Sequence, residues 1–151
     1  MTSRTTRRPR AGDGAGKSYA YVTREEFEAE RAAGRLLESA EVHGALYGTP
    51  REEVEHLLAE GRDVLLEIDV QGARQVKAIV PEAVTIFLEP PSWEVLERRL
   101  RDRGTEDPAA LQRRLETARH ELEEASIFDH KVVNDDLERA VKQVDRILEQ
   151  R

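Results

Sequence analysis

Four arginines, Arg4, Arg7, Arg8 and Arg10, fall within seven residues near the amino terminus. A guanidinium is planar, permanently charged and able to meet phosphate oxygens in pairs, so this density suits a small anionic ligand. A second set, Arg98, Arg99, Arg101, Arg103, Arg113 and Arg114, repeats the pattern in the other half of the chain. The plain alternative for either set is a solvated basic surface. Carboxylates gather instead at Glu67-Ile68-Asp69-Val70-Gln71-Gly72, where they follow the apolar run that starts at Val64. Open α/β sheets collect ligands at the carboxyl ends of their strands, so an acidic ligand or metal contact is expected at Asp69. The alternative is that Glu67 and Asp69 only end a strand with charge.

Those residues need a scaffold, and composition limits which kind. The chain has 151 residues, the size of one domain, with 36% charged and 38% hydrophobic residues. It has no cysteine, and its histidines at 43, 56, 120 and 130 are too dispersed for a local metal motif, so neither disulfides nor structural zinc are expected. No apolar stretch approaches the roughly 20 residues of a membrane span, and no apolar signal segment follows the first residues, so a cytoplasmic protein is expected. A net charge of −7 opposes general attraction to nucleic acid or anionic membrane, although the basic amino terminus keeps a nucleic-acid binder as a weaker option.

Met1–Ser18 has no apolar period and is expected to be exposed and mobile without a ligand. Inside it, Gly14-Ala15-Gly16-Lys17-Ser18 imitates the end of a phosphate-binding P-loop. Position 11 is Ala rather than Gly, no apolar strand precedes the segment, and Tyr19–Val22 looks extended rather than helical, so a P-loop is rejected there. Thr23 with Glu26 predicts a capping box opening a helix to Ala33 that Gly34 closes, and Leu36–Val42 reads as a strand. His43–Gly48 reads as a loop, and Thr49-Pro50-Arg51-Glu52 as a second capping box with a helix to about Glu60.

Val64–Asp69 then predicts a central strand covered on both faces, followed after Gly72 by a helix that Pro81 stops. Val84–Leu88 predicts a second buried strand. Pro90-Pro91-Ser92 caps a helix in which Trp93 is expected to pack, and a long helix runs from Asp107-Pro108 to about Phe128. His130–Val133 predicts a third short buried strand before a helix capped by Asn134-Asp135-Asp136. The order implies an α/β domain with parallel crossovers, preceded by a smaller α+β segment over about Tyr19–Gly61.

Several of these stretches together resemble the guanylate kinases. Ser3-Arg4-Thr5-Thr6-Arg7-Arg8-Pro9-Arg10-Ala11-Gly12 is similar to the family's S-x-T-T-R-x-P-R-x-G, Tyr47-Gly48-Thr49 to Y-G-[ST], and Glu67–Gly72 to [DE]-[IV]-D-x-Q-G. Arg103-Gly104-Thr105 and Val133-Asn134-Asp135-Asp136 also match, so the resemblance runs along the whole chain. It implies a P-loop nucleoside monophosphate kinase-like parallel sheet with helices on both faces, a small α+β GMP-binding insertion and a helical lid. The implied regions are 1–61 for GMP binding, 62–102 and 130–151 for the core, and 103–129 for the lid and long helix.

The implied activity is transfer of a phosphoryl group from ATP, with Mg²⁺, to GMP. The implied GMP site is Ser3, Arg7, Arg10, Tyr19, Glu38, Tyr47, Thr49 and Asp69, with Glu38 reading guanine. Arg10, Arg103 and Arg114 are implied to be catalytic, and Arg103, Asn134 and Asp135 to lie at the ATP side, where Asn134 and Asp135 serve equally well as helix caps. The chain begins directly at the GMP motif, without the strand and P-loop that open the family. It is therefore expected to be an incomplete reading of a longer protein or a remnant with little kinase activity. The alternative function is a catalytically inactive guanylate-kinase-like binding module. In the related fold the first strand lies between those corresponding to Val64–Asp69 and Val84–Leu88, so its loss is expected to leave unpaired edges.

Overall fold

The computed structural model of the chain describes residues 3–9, 19–102 and 108–150. The chain divides after Ala83 into two compact units. The first contains β1 (Ser3–Thr5), β2 (Tyr19–Tyr21), α1 (Arg24–Ala32), β3 (Leu36–Val42), β4 (Ala45–Pro50), α2 (Arg51–Ala59) and α3 (Val70–Ile79). Its sheet has the order β2-β1-β4-β3, with β1 parallel to β2 and antiparallel to β4, and β3 antiparallel to β4.

Local chemistry accounts for the start of α1. Thr23 Oγ1 accepts the Glu26 amide at 3.1 Å while Glu26 Oε2 accepts the Thr23 amide at 2.7 Å, a capping box that satisfies two otherwise orphaned donors. The helix buries only Phe27, which is completely enclosed with Leu36 and Leu46 and flanked by Val22. On β3 the register advances from Leu36↔Pro50 to Glu38↔Thr49, so Leu37 is an extra, bulged residue. Ordinary alternation along the strand sends the adjacent leucines to two clusters, Leu36 with Phe27 and Leu37 with Val54 and Val76.

Five expectations for this unit are corrected. Ser3–Thr5 is a strand with Thr5 fully buried, not part of an exposed segment; three residues are too few to display a period. Ala45–Pro50 is a strand rather than a loop, because His43 (φ 50°) and Gly44 (φ 82°) alone make a two-residue turn in which both central residues are left-handed. The second capping box does not form: Pro50 caps α2 without a side-chain bond, and the Thr49 hydroxyl is drawn to Glu38 instead.

Val64–Asp69, finally, is not a strand, since no strand among the described residues pairs with it. Val64, Leu66 and Ile68 pack on the Leu37–Val54–Val76 cluster while Leu65 is 75% exposed, so one side is covered rather than both. α3 also starts before Gly72, at Val70.

The second unit contains β5 (Ile86–Glu89), α4 (Trp93–Asp102), α5 (Pro108–Glu124), a short 3-10 turn at Ala125–Ile127, β6 (His130–Val133) and α6 (Leu137–Glu149). β5 and β6 pair in parallel, from Ile86↔His130 to Glu89↔Val133. Asp129 Oδ2 accepts both the amide (2.9 Å) and hydroxyl (2.8 Å) of Thr85, stapling the two strands where they begin. The predicted strand at Val84–Leu88 starts later, and neither strand is covered on both faces: Leu88 is 55% exposed and Val133 37%, against 1% for Val132. Trp93 is half-buried, with the Arg119 guanidinium 4.9 Å from its ring centre. Among the described residues no helix is long and apolar enough to cross a membrane.

Candidate functional site

In the first unit the bulge at Leu37 sets the aim of Glu38, which is only 4% exposed. The cross-strand residue Thr49, 1% exposed, donates its hydroxyl to Glu38 Oε1 at 2.6 Å. The other oxygen, Oε2, faces Gly72 in the first turn of α3, where a Cβ would stand 2.6 Å away. Only glycine leaves room for the carboxyl at that point. Burial is the main influence on Glu38 and raises its pKa above the ordinary carboxylate value, and the Asp69 charge adds to the rise. The bond from Thr49 opposes both.

Asp69 is the N-cap of α3: Oδ1 accepts the Gly72 amide at 2.9 Å and Oδ2 the Gln71 side-chain amide at 3.0 Å. Negative charge at a helix amino terminus is favourable, which offsets part of the cost of placing a second carboxylate near Glu38.

A second cluster lies on the same sheet. Ser3 is registered beside Tyr19, and Thr5 beside both Tyr21 and Tyr47. The buried Thr5 hydroxyl accepts the Arg7 amide at 3.1 Å, fixing where the chain leaves β1. The Arg7 guanidinium then sits 5.7 Å from the Tyr19 ring centre and 5.6 Å from that of Tyr21, and Tyr19 meets Tyr47 edge-on at 5.9 Å. Tyr47 and Thr49 are two residues apart on β4 and share one face of it. The sheet thus offers a buried acceptor, Glu38, and a cation held by aromatic rings, Arg7, beside neighbouring positions of a single strand. Such a pair can accept hydrogen-bond donors at one end of a ligand and meet an anion at the other.

The guanylate kinase family model matches residues 1–151. The chain is 53% identical over 148 residues to the guanylate kinase of Corynebacterium jeikeium (strain K411), covering 97% of this chain and 79% of that protein. The chain belongs to the guanylate kinase family. It is also 54% identical to the enzyme of that name from Synechococcus sp. (strain CC9902), over 95% of this chain and 76% of the relative. Among solved structures, the crystal structure of guanylate kinase from Anaplasma phagocytophilum superimposes with a TM-score of 0.85 at 37% identity, covering 99% of this chain and 73% of that one.

Of the residues that the guanylate kinase resemblance implied, the first unit joins Glu38, Thr49 and Asp69 in one group and Ser3, Arg7, Tyr19 and Tyr47 in another. Arg10 and Arg103 lie outside the described residues, as does the P-loop-like Gly14–Ser18 segment. In the second unit Arg114 is half-buried on α5. Asn134 follows β6, its amide donating to Glu89 O at 2.8 Å and its carbonyl accepting from Arg99 at 2.9 Å. Asp135 accepts the Asp136 amide at 2.6 Å and pairs with Arg139 at 3.3 Å, while Asp136 caps α6.

Sequence reasoning missed Tyr21, whose hydroxyl accepts from Arg7 Nη2 at 3.4 Å, the spatial role of Gly72, and Gln75, whose side-chain amide bonds the Ser39 backbone on β3. For Gln75 the one available signal was its position three residues after Gly72, on the same helix face. Arg4, grouped with the ligand-seeking arginines, pairs with Glu30 at 3.3 Å and Glu53 at 3.6 Å.

Proposed function

We propose that this chain transfers the γ-phosphoryl group of ATP to GMP, giving ADP and GDP. The buried carboxyl of Glu38 carries the reading. Guanine presents two adjacent donors, N1–H and the 2-amino group, and a carboxylate already steadied by Thr49 has lone pairs left to accept both. Adenine offers a different edge that leaves the acid unpaired, a costly mismatch in a buried site. Ser3 and Asp69 complete the base side, and Arg7 and Arg10, with Tyr19 and Tyr47, bind the phosphate, where a guanidinium donates to two oxygens at once.

In the transfer itself, negative charge spreads over the moving phosphoryl group and needs cations in a water-poor site. Arg10, Arg103 and Arg114 supply them, the latter two from a lid at 103–129 that closes over nucleotide. Asn134 and Asp135, with Arg103, flank ATP. Residues 1–61 form the GMP-binding region, and 62–102 with 130–151 the core. Mg²⁺ arrives with ATP as part of the substrate; the described residues include no group of three His, Cys, Asp or Glu able to hold a metal ion. The partners are these small molecules, not nucleic acid or membrane, and the location is the cytoplasm.

ADP formation from ATP, followed with GMP and with AMP, tests the proposal. ADP formation that depends on GMP, with little when AMP replaces it, is expected. Equal use of AMP overturns the assignment of Glu38, and tight GMP binding without ADP formation favours the binding-module reading.

A further inference from the structure

Among the described residues β3 is the outer strand of its sheet, and the outward peptide groups of Ser39 have no strand partner there. The side chain of Gln75 takes that place. Its Nε2 donates to Ser39 O at 2.8 Å and its Oε1 accepts from the Ser39 amide at 3.1 Å, as a neighbouring strand's peptide would. A third bond, from Nε2 to Gln71 O at 3.2 Å, orients the amide. α3 therefore grips three consecutive β3 residues: Val76 packs with Leu37, Gly72 faces the Glu38 carboxyl, and Gln75 brackets Ser39.

We propose that Gln75 is a positioning residue for Glu38, clamping the edge strand to α3 so that the carboxyl stays aimed at the base; this rests on Glu38 being the guanine acceptor. The clamp opposes a real force. Desolvation and the Asp69 charge both disfavour the ionised carboxyl, and an edge strand free to swing outward would let Glu38 rehydrate. Gln75 never touches the nucleotide, but it fixes the backbone on which the two-donor readout depends.

The test is calorimetric binding of GMP, IMP and AMP to the full chain, unmodified and as Gln75→Met and Gln75→Glu. IMP retains N1–H and lacks the 2-amino group, so the GMP-to-IMP affinity ratio reports how well Glu38 is held. Gln75→Met, similar in length but without the amide, is expected to lower that ratio about tenfold, the equivalent of roughly 1.4 kcal/mol. Gln75→Glu keeps the acceptor for the Ser39 amide and is expected to fall between the two. A lower thermal midpoint with an unchanged ratio makes Gln75 merely structural and overturns the proposal. If Gln75→Met does not fold, the ratio in Gln75→Glu decides in the same way. An unmodified chain that fails to prefer GMP over IMP overturns the guanine reading itself, which is a different result from a preference that survives loss of the amide.

Discussion

Glu38 Oε2 and Gly72 are so close that a single methyl group on the glycine would meet the oxygen at 2.6 Å and the carboxyl carbon at 3.3 Å. Such a methyl would also lie 3.3 Å from Ile68 Cβ, so the space is closed from more than one side. The carboxyl cannot step aside freely either, because its other oxygen holds the Thr49 hydroxyl within the sheet.

Gly72→Ala is therefore expected to displace Glu38 and break that bond. Overpacking of this kind costs about 1–3 kcal/mol, which would weaken GMP binding by roughly 5- to 150-fold if it falls wholly on the bound state. Adding Glu38→Asp, which shortens the acid by one methylene, should recover part of the loss. Titration of both variants with GMP checks this; undiminished affinity in the Gly72→Ala variant would show that the contact does not set the carboxyl's position.

The raised pKa of Glu38 has a definite sign for stability. A carboxyl that holds its proton more tightly when folded makes the native state less stable as pH rises from the unfolded pKa through the folded one, and that cost is fully present above both. Glu38→Gln removes the ionisation and is expected to raise the thermal midpoint relative to the parent at pH 7. The advantage should shrink as pH falls through the folded-state pKa, while GMP affinity is lost. Thr49→Val, which deletes the hydroxyl whose bond lowers this pKa, should move the acid limb of GMP binding to higher pH. Thermal melts of each pair from about pH 4 to 8, with GMP titrations, provide the check.

Arg7 lies against two tyrosine rings, and lysine would preserve its charge while losing the planar fork that suits both the rings and the proposed phosphate contact. Arg7→Lys is expected to weaken GMP by about tenfold, a loss near the worth of one charge-assisted hydrogen bond, and to leave guanosine binding unchanged. Comparing the two ligands isolates the phosphate. An equal loss for guanosine would mean that Arg7 acts through the sheet instead.

What could be read in the residues alone divides along physical lines. Thr23 and Glu26 announced their helix because a capping box is satisfied within four residues, and β3 and β6 were found at their observed limits. Thr49-Pro50-Arg51-Glu52 has the same local form yet fails, since a buried acid from another strand outbids the helix for the hydroxyl. Val64–Asp69 has the composition of a strand, but strand pairing requires a neighbour that composition does not supply. Glu38, Thr49 and Asp69 were placed by resemblance to guanylate kinases, with their geometry unseen. Gln75 stayed hidden because its role exists only once β3 is known to be an outer strand.

With Glu38 as the proposed guanine acceptor, its carboxyl also ties nucleotide capture to the solvent's acidity. In the free chain it favours the protonated form more than an ordinary acid does, whereas two donors from a guanine edge demand the anion. Loading the site below the pKa of the free acid must then expel a proton, so the apparent heat of GMP binding there will vary with the ionisation enthalpy of the buffer that receives it.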